Sequence, residues 1–436
     1  MGAATVKEHR GTPLRSLVLG VAVALSLIGA KALLEQTAFG RQLELLTYNL
    51  LQLRLTRSAP EAESPVVVVD ISSILPTVIE TPLRRELITP REDLLRVVRS
   101  VARDGPRAIG IDVDFSPSEG GPVTHSDTRF LKEILAMRNE GLPIFVGVFE
   151  SVVQQPEQWL SEPEFSPLAA YLSIPRVQEV GSVPRMVEWV WPSGVSRPCP
   201  SLASALSQSE LKALPGAVNW ALNRVSIKQT EEFSSSEFAV DFSGLDGLMK
   251  RRISASSLTA PGGTDRAVKG KLVLIGRATP GETGDQFILP GVETPVPGVF
   301  VHACAAETLL ARPLFTLTHA GRVVADVLAA AMVFGPVFLI ELYLSRSRRD
   351  GGGFASHSMQ TILTIAVVFV VIAVGHVLVR YVRLLWTDYL MVVAGLLLHG
   401  PCERLVGRLL TTAPAKGSDK RERSKRRARS RSRGSK

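Results

Sequence analysis

Hydrophobic residues in this chain are bunched rather than spread. Four apolar blocks stand out: Ser16–Leu34, Val323–Leu344, Thr361–Val379 and Leu384–Gly400. Each is near the ~20 residues that a helix needs to cross a bilayer. Between the first and second lie about 290 residues with the mixed patterning of a globular domain. Residues 35–62 continue as a helix, with Leu43, Leu46, Leu50, Leu53 and Leu55 on one stripe and Pro60 and Pro65 to end it. The run Val66–Ile71 is continuous and β-branched, so it predicts a strand buried on both faces. Thr89 as cap, Pro90 as first helical residue and Glu92 closing a capping box predict a helix start. That helix turns Leu94, Leu95, Val98 and Val101 inward and ends near Asp104 and Gly105. A strand over Arg107–Phe115, a helix over Ser126–Glu140 and a strand over Pro143–Phe149 follow. Strand, helix, strand, helix, strand predicts an α/β fold with a mainly parallel sheet. Beyond it, Val187–Trp191 and Phe238–Phe242 read as strands and Ser201–Leu214 as a helix. Lys271–Gly276 reads as a further buried strand. A Gly/Pro-rich loop, Arg277–Gly298, and a helix over Val301–Arg312 lead into the second apolar block.

Charge gives the blocks a direction. The net charge is +9, but Glu403–Lys436 holds 13 Lys/Arg against 3 Asp/Glu, so the rest of the chain is close to neutral. Lys7, Arg10 and Arg15 precede the first block; Arg346, Arg348 and Arg349 follow the second; the basic tail follows the fourth. The positive-inside rule puts all three on the cytoplasmic side, and four crossings satisfy it. The expected layout is then an N-terminus at 1–15, helices at 16–34, 323–344, 361–379 and 384–400, and an extracytoplasmic domain at 35–320. A basic turn at 345–360 and a disordered tail at 403–436 complete it. Tyr381, Trp386 and Tyr389, near the outer turn between blocks three and four, read as interfacial anchors. Two alternatives stay open. Ala30-Lys31-Ala32 nominally fits a signal-peptide cleavage site, against a retained anchor. Asp388 near the outer end of block four fits either an interfacial charge or a re-entrant helix. Asp326 and Glu341 read as boundary residues, and His376 as bundle-facing or interfacial.

Three cysteines, Cys199, Cys304 and Cys402, make no disulfide framework; Cys199 and Cys304 read either as a bridge or as two buried thiols. Candidate chemistry gathers at strand ends. Asp70, Asp112, Asp114 and Arg277 close three predicted strands, and parallel strands bring these ends to one edge, where α/β ligands bind. With Asp285 from the following loop they could hold a small polar or cationic molecule, or a hard divalent ion such as Ca²⁺. The competing reading is structural: these carboxylates cap helices, bind loop amides and close salt bridges. The loop Gly276–Asp285 lacks the Walker and G-x-G-x-x-G spacings, and no cofactor motif is present. His302 has no second ligand at metal spacing and reads as a hydrogen-bonding core residue. No nucleophile–base pair and no H-E-x-x-H occur, so an enzyme is not expected.

The tail, with Arg426, Arg427 and Arg429, reads first as a surface for anionic lipid headgroups. A docking peptide for a cytoplasmic partner comes second, and non-specific nucleic-acid binding last. A homodimer is compatible with the layout.

The ordered stretches VVVVDISS (66–73), ITPRED (88–93), DGPRAIGIDVDF (104–115), SRPCPSLASAL (196–206), GKLVLIGRATPGETGDQF (270–287) and VPGVFVHACAAETLL (296–310) resemble CHASE2-domain proteins. These are extracytoplasmic sensor modules of bacterial signalling receptors. The similarity covers about Ser16 to Leu410, including one helix before the domain and three after it. Thr89-Pro90-Arg91 stands where the family usually has Trp-Pro-Arg, and Tyr48-Asn49 where it commonly has Tyr-Asp. The resemblance implies an inner-membrane sensor with a periplasmic domain, and it names no ligand. Family receptors usually continue into a cytoplasmic kinase or cyclase. Here about 34 basic, low-complexity residues follow the last block, so a separate signalling partner is expected. The second reading is an accessory envelope protein without a ligand.

Overall fold

The computed structural model describes residues 13–35, 37–56, 64–80, 85–115, 125–149, 164–175, 185–192, 198–208, 218, 220–229, 233–260, 266–279, 285–289, 292, 294–311, 313–328, 331, 339 and 355–412. The chain falls into two compact units: Met1–Thr37, Asp326–Ile372 and Leu390–Lys436 form one, Ala38–Ala325 and Ala373–Tyr389 the other.

The first unit contains α1 (Pro13–Glu35). Its helix breaks where the Thr37 hydroxyl and N–H both turn back to the Leu34 carbonyl. Lys31 Nζ lies 2.5 Å from Asp326 and 3.3 Å from Glu35. Lys31 and Asp326 are both nearly buried, so each neutralises a charge that would otherwise be costly. Asp326 is therefore a paired residue rather than a bare boundary charge. Outward-facing Val21, Leu25, Phe369 and Leu397 leave the helices of this unit apolar on their exposed faces. Among the described residues, Ile365–Val382 is long and apolar enough to cross a membrane in one helix. Val21–Glu35 with Ala38–Gln52 passes only as a broken pair. Most of the second apolar block, the basic turn with Arg346, Arg348 and Arg349, and the tail with Arg426, Arg427 and Arg429 lie outside the described residues.

The second unit opens with α2 (Ala38–Thr56) and β1 (Val66–Asp70). A hairpin, β2 (Thr77–Glu80) and β3 (Arg85–Ile88), separates β1 from α3 (Arg91–Arg103). Next come β4 (Ala108–Asp114), α4 (His125–Asn139), β5 (Ile144–Val148) and β6 (Ala169–Tyr171). A second group holds β7 (Arg185–Pro192), β8 (Cys199–Pro200), α5 (Leu202–Ser207), β9 (Leu222–Asn223), β10 (Val225–Gln229) and β11 (Phe233–Ala239). The chain then returns through α6 (Leu245–Lys250), β12 (Ile253–Ser254), α7 (Ala255–Thr259) and β13 (Leu272–Gly276). β14 (Gln286–Phe287), β15 (Val296–Pro297), α8 (Gly298–Ala311) and β16 (Phe315–Leu317) complete the domain. After α9 (Ala355–Val377) come β17 (Leu384–Leu385) and α10 (Tyr389–Thr412).

The main sheet has the order β12-β1-β13-β4-β5-β6, and every pair in it is parallel. Alternation along each strand divides its side chains between two cores. Val67, Val69, Ile109, Ile111, Val273 and Ile275 face the layer that includes Leu94, Val98 and Phe130 from α3 and α4. Val66, Val68, Leu272 and Leu274 face α5, α6 and α8, with Leu206, Leu248 and Phe300. The predicted α/β class and parallel sheet are thus present, and the unbroken apolar strand runs follow from burial on both sides. A four-stranded antiparallel sheet, β10-β11-β7-β8, is a second sheet whose Val187, Val190 and Cys199 share the first of these cores.

Several sequence expectations change. Pro90, not Thr89, is the cap of α3, and no side chain caps it. Thr89 is buried, and Glu92 pairs with Arg129 at 2.9 Å, so the capping box does not form. The helix expected over Ser201–Leu214 is described only as α5; Ser201 caps it, and Gln208 ends it in a left-handed conformation. The strand expected over Phe238–Phe242 begins earlier and ends at Ala239, because Asp241 starts a short 3₁₀ turn at Phe242. Leu384 and Leu385 form a strand beside β16, so the helix of the last block begins at Tyr389. Trp386 and Tyr389 are buried, so they do not serve as interfacial anchors; Tyr381 is exposed. Cys199 and Cys304 are free, buried thiols, and no bridge joins them. Burial pushes the Cys199 thiol up to about 12.

Candidate functional site

Register brings the predicted strand ends together. Asp70 of β1 lies opposite Gly276 of β13, and Gly276 lies opposite Asp112 of β4. The three positions form one row at the carboxyl edge of the sheet. Their side chains then take different roles.

Asp70 folds its own edge. Its Oδ1 accepts from the Ser72 N–H at 2.9 Å, the Ser72 hydroxyl at 2.6 Å and the Ala278 N–H at 3.0 Å. Such an Asx-type turn fixes the exits of β1 and β13 and occupies this carboxylate oxygen. Arg277 donates to the Ile74 carbonyl at 2.9 Å, tying the same two loops. Asp114 is exposed, and its carbonyl accepts from Arg91. Asp70 and Arg277 therefore tie the loops of this edge, and Asp114 contributes its backbone carbonyl.

Asp112 and Asp285 are different. The Asp112 side chain is 9% exposed and stands 4.0 Å from His302 Nε2. Burial, reinforced by the charge of Asp285, holds its carboxyl well above the usual carboxylate range. Asp285 is exposed at the start of β14, and its carboxylate lies against Gly298, the first residue of α8. A Cβ at Gly298 would meet Asp285 Oδ2 at 2.2 Å, so the carboxylate reaches the helix terminus only past a glycine. The partial positive charge there favours an anion. Gly276 allows a second close approach: a Cβ on it would come within 2.8 Å of Val299 Cγ2 and 3.0 Å of Asp112 Cβ. Both glycines let α8 lie directly over the row.

His302 sits one turn into α8. It is 1% exposed, and its Nδ1 has no hydrogen-bond partner. Burial pushes its pKa down to about 4, with the Leu172 carbonyl opposing part of that shift, so the ring is neutral at neutral pH. The expected core histidine is present, though not with both nitrogens bonded. A carboxyl that holds its proton more tightly than usual, a second carboxyl and a neutral imidazole can together donate to and accept from a small polar ligand. Among the described residues, no group of three or more His, Cys, Asp or Glu is disposed to hold a metal ion.

Arg91 is a site residue that strand-end reasoning misses. Its Nε lies 2.5 Å from Asp127 Oδ1, and its guanidinium stacks 3.9 Å from the Phe115 ring centroid. Phe115 in turn stacks on Phe130. The buried arginine clasps α3, β4 and α4 at the carboxyl edge. The sequence carries little signal for it, because Arg91 opens an all-charged first turn, Arg91-Glu92-Asp93, in which nothing marks it as the buried member.

A second polar cluster lies where the chain enters and leaves the apolar helices. Arg322 reaches Glu44 of α2 at 3.1 Å and Asp388 at 3.3 Å, and Thr387 donates to Glu44 at 3.0 Å. Asp388 is 1% exposed, so these partners explain how its charge is tolerated. Arg383 pairs with buried Asp241. The Asp241 N–H donates to Thr308 Oγ1 of α8 at 2.9 Å. Tyr48 and Gln52 of α2 both donate to the Val240 carbonyl at 2.8 Å. One helix, α8, thus runs from the Asp112–Asp285 edge to this cluster, about 15 Å from Gly298 to Thr308 at 1.5 Å per residue.

No curated protein and no solved structure matches the chain. The CHASE2 domain family matches over residues 19–336, a span that holds both polar sites apart from the Arg383 and Thr387–Asp388 contacts. CHASE2 domains are extracytoplasmic sensory modules, and a mixed α/β fold with a parallel sheet fits one. With most of its length matched, from the first apolar helix through the parallel sheet and α8, the chain belongs to the CHASE2 domain family.

Proposed function

We propose that this protein is a multi-pass inner-membrane sensor that detects a small polar molecule outside the cytoplasm and passes the signal to a separate partner. The observation that carries the reading is that Arg322 joins segments beside the first, second and fourth apolar blocks, while the segment after the third is tied to the domain through Asp241. Glu44 follows the first block, Arg322 opens the second, Arg383 follows the third, and Asp388 precedes the fourth helix. Four crossings would place this cluster at the outer membrane boundary, with the domain beyond it and the basic segments inside. The Lys31–Asp326 pair supports a retained first helix, because retention keeps this nearly buried ion pair intact.

In this reading, a ligand at the Asp112–Asp285 edge displaces α8, and Thr308 carries the shift to Asp241 and Arg383. Output then runs to a partner, not to catalysis by the residues at either polar site. The test uses the full chain in lipid nanodiscs. Thermal unfolding is followed against small amines, amino acids, sugars and divalent cations. The expected result is a compound that raises Tm for the wild type and not for Asp112→Ala. A flat response across the panel removes the sensing role and leaves an accessory envelope protein.

A further inference from the structure

Trp220 is 53% exposed, and Val218 beside it in sequence is 39% exposed. Neither belongs to an apolar block. Strand register decides where they lie. β9 runs antiparallel to β16, with Leu222 opposite Leu317, so the residues before β9 fall beside those after β16. The Thr318 N–H donates to the Ala221 carbonyl at 2.9 Å, and the Thr318 hydroxyl donates to the Trp220 carbonyl. The same hydroxyl accepts from the Gly321 N–H at 3.0 Å and so caps the helix that opens the second apolar block. A Cβ at Gly321 would meet the Ala221 carbonyl oxygen at 2.2 Å, so loop and helix are in direct contact. Trp220 therefore sits beside the first turn of a helix whose next residues, Val323 and Val324, are also exposed and apolar.

We propose that Trp220, with Val218 nearby, is an additional membrane contact, its indole seated among the lipid headgroups of the outer leaflet. An amphipathic indole suits that boundary: the ring meets acyl chains while the N–H meets water or ester oxygens. Such a contact would hold the domain in one orientation over the bilayer, alongside the helix starting at Thr318. The occupant is lipid rather than protein because Trp220 abuts the first turn of a helix that, in the multi-pass reading, itself enters the bilayer. In this respect the inference rests on the multi-pass reading above.

The full chain is reconstituted into phosphatidylcholine–phosphatidylglycerol vesicles with and without bromine on the acyl chains near the headgroup, and tryptophan emission is recorded. Bromine is expected to quench part of the wild-type emission, and Trp220→Phe to lose most of that quenchable part. Trp191→Phe, which removes an exposed indole from the antiparallel sheet, is the control and keeps it. If the protein stays in the vesicles and Trp220→Phe is quenched as much as the wild type, the loop contact is overturned and the multi-pass reading stands. If the protein leaves the vesicles on alkaline extraction, the multi-pass reading itself falls. Cross-linking between copies through a Trp220→Cys variant, together with wild-type emission that bromine leaves unquenched, would assign the face to a second copy instead.

Discussion

His302 and Asp112 face each other over 4.0 Å and titrate in opposite senses. In the unfolded chain the imidazole takes a proton below its usual 6.5; in the fold it resists until about 4. Between those values the unfolded state binds the extra proton. Stability is therefore complete above pH 6.5 and falls as the pH drops toward 4, by about 3 kcal/mol in total. Asp112 works the other way. Its folded pKa is raised, so the unfolded chain loses the proton first, and stability falls as the pH rises above 3.8 toward the folded value. Thermal unfolding of the full chain across this range should show a shallower acid-side loss for His302→Asn. Asp112→Asn should be more stable than wild type at neutral pH. Wild-type curves from both variants would mean that these groups are solvated in solution. The carboxylates at strand ends are readable in the sequence, because parallel strands put their ends on one edge. That Asp70 is consumed by the Ser72 and Ala278 amides while Asp112 is buried beside His302 is not readable. That division depends on α8, which arrives almost 190 residues after Asp112 in the chain.

At the scale of elements, the three-stranded sheet β17-β16-β9 joins segments from three distant parts of the chain. Each strand is two or three residues long, with no periodicity to betray it, so only pairing reveals it. Its consequence is the polar cluster below it. Arg322→Ala should leave Asp388 buried without its cation and cost the second unit about 3 kcal/mol. Arg322→Ala with Asp388→Asn should recover part of that loss, because the stranded charge is gone. A double variant no more stable than the single one, measured by thermal unfolding in detergent, would show that the pair contributes through packing alone. The strands β1, β4, β5 and β13 were legible because burial on both faces demands continuous apolar runs. The cap of α3 was not. Arg91 turns inward to Asp127 and Phe115, and that tertiary demand sets the helix start in place of the Thr89–Glu92 box.

For the whole molecule, the basic tail and the folded domain are separate propositions. On the multi-pass sensor reading proposed above, removing residues 411–436 should leave membrane insertion and thermal stability unchanged while abolishing capture of a cytoplasmic partner. If the truncated chain retains the same partners in affinity purification from crosslinked cells, the tail acts only in topology and at the lipid surface. The sequence by itself determined the class of the domain, the apolar blocks and their charge asymmetry. These are set by local composition and by strand and helix periodicity, which do not depend on distant contacts. The tertiary structure alone decided which carboxylates are tied into the sheet edge, which charges near the apolar helices are neutralised, and that Trp220 is exposed. Each of these is fixed by partners far away in the chain, and burial gives a charge or an indole its meaning only once those partners are in place.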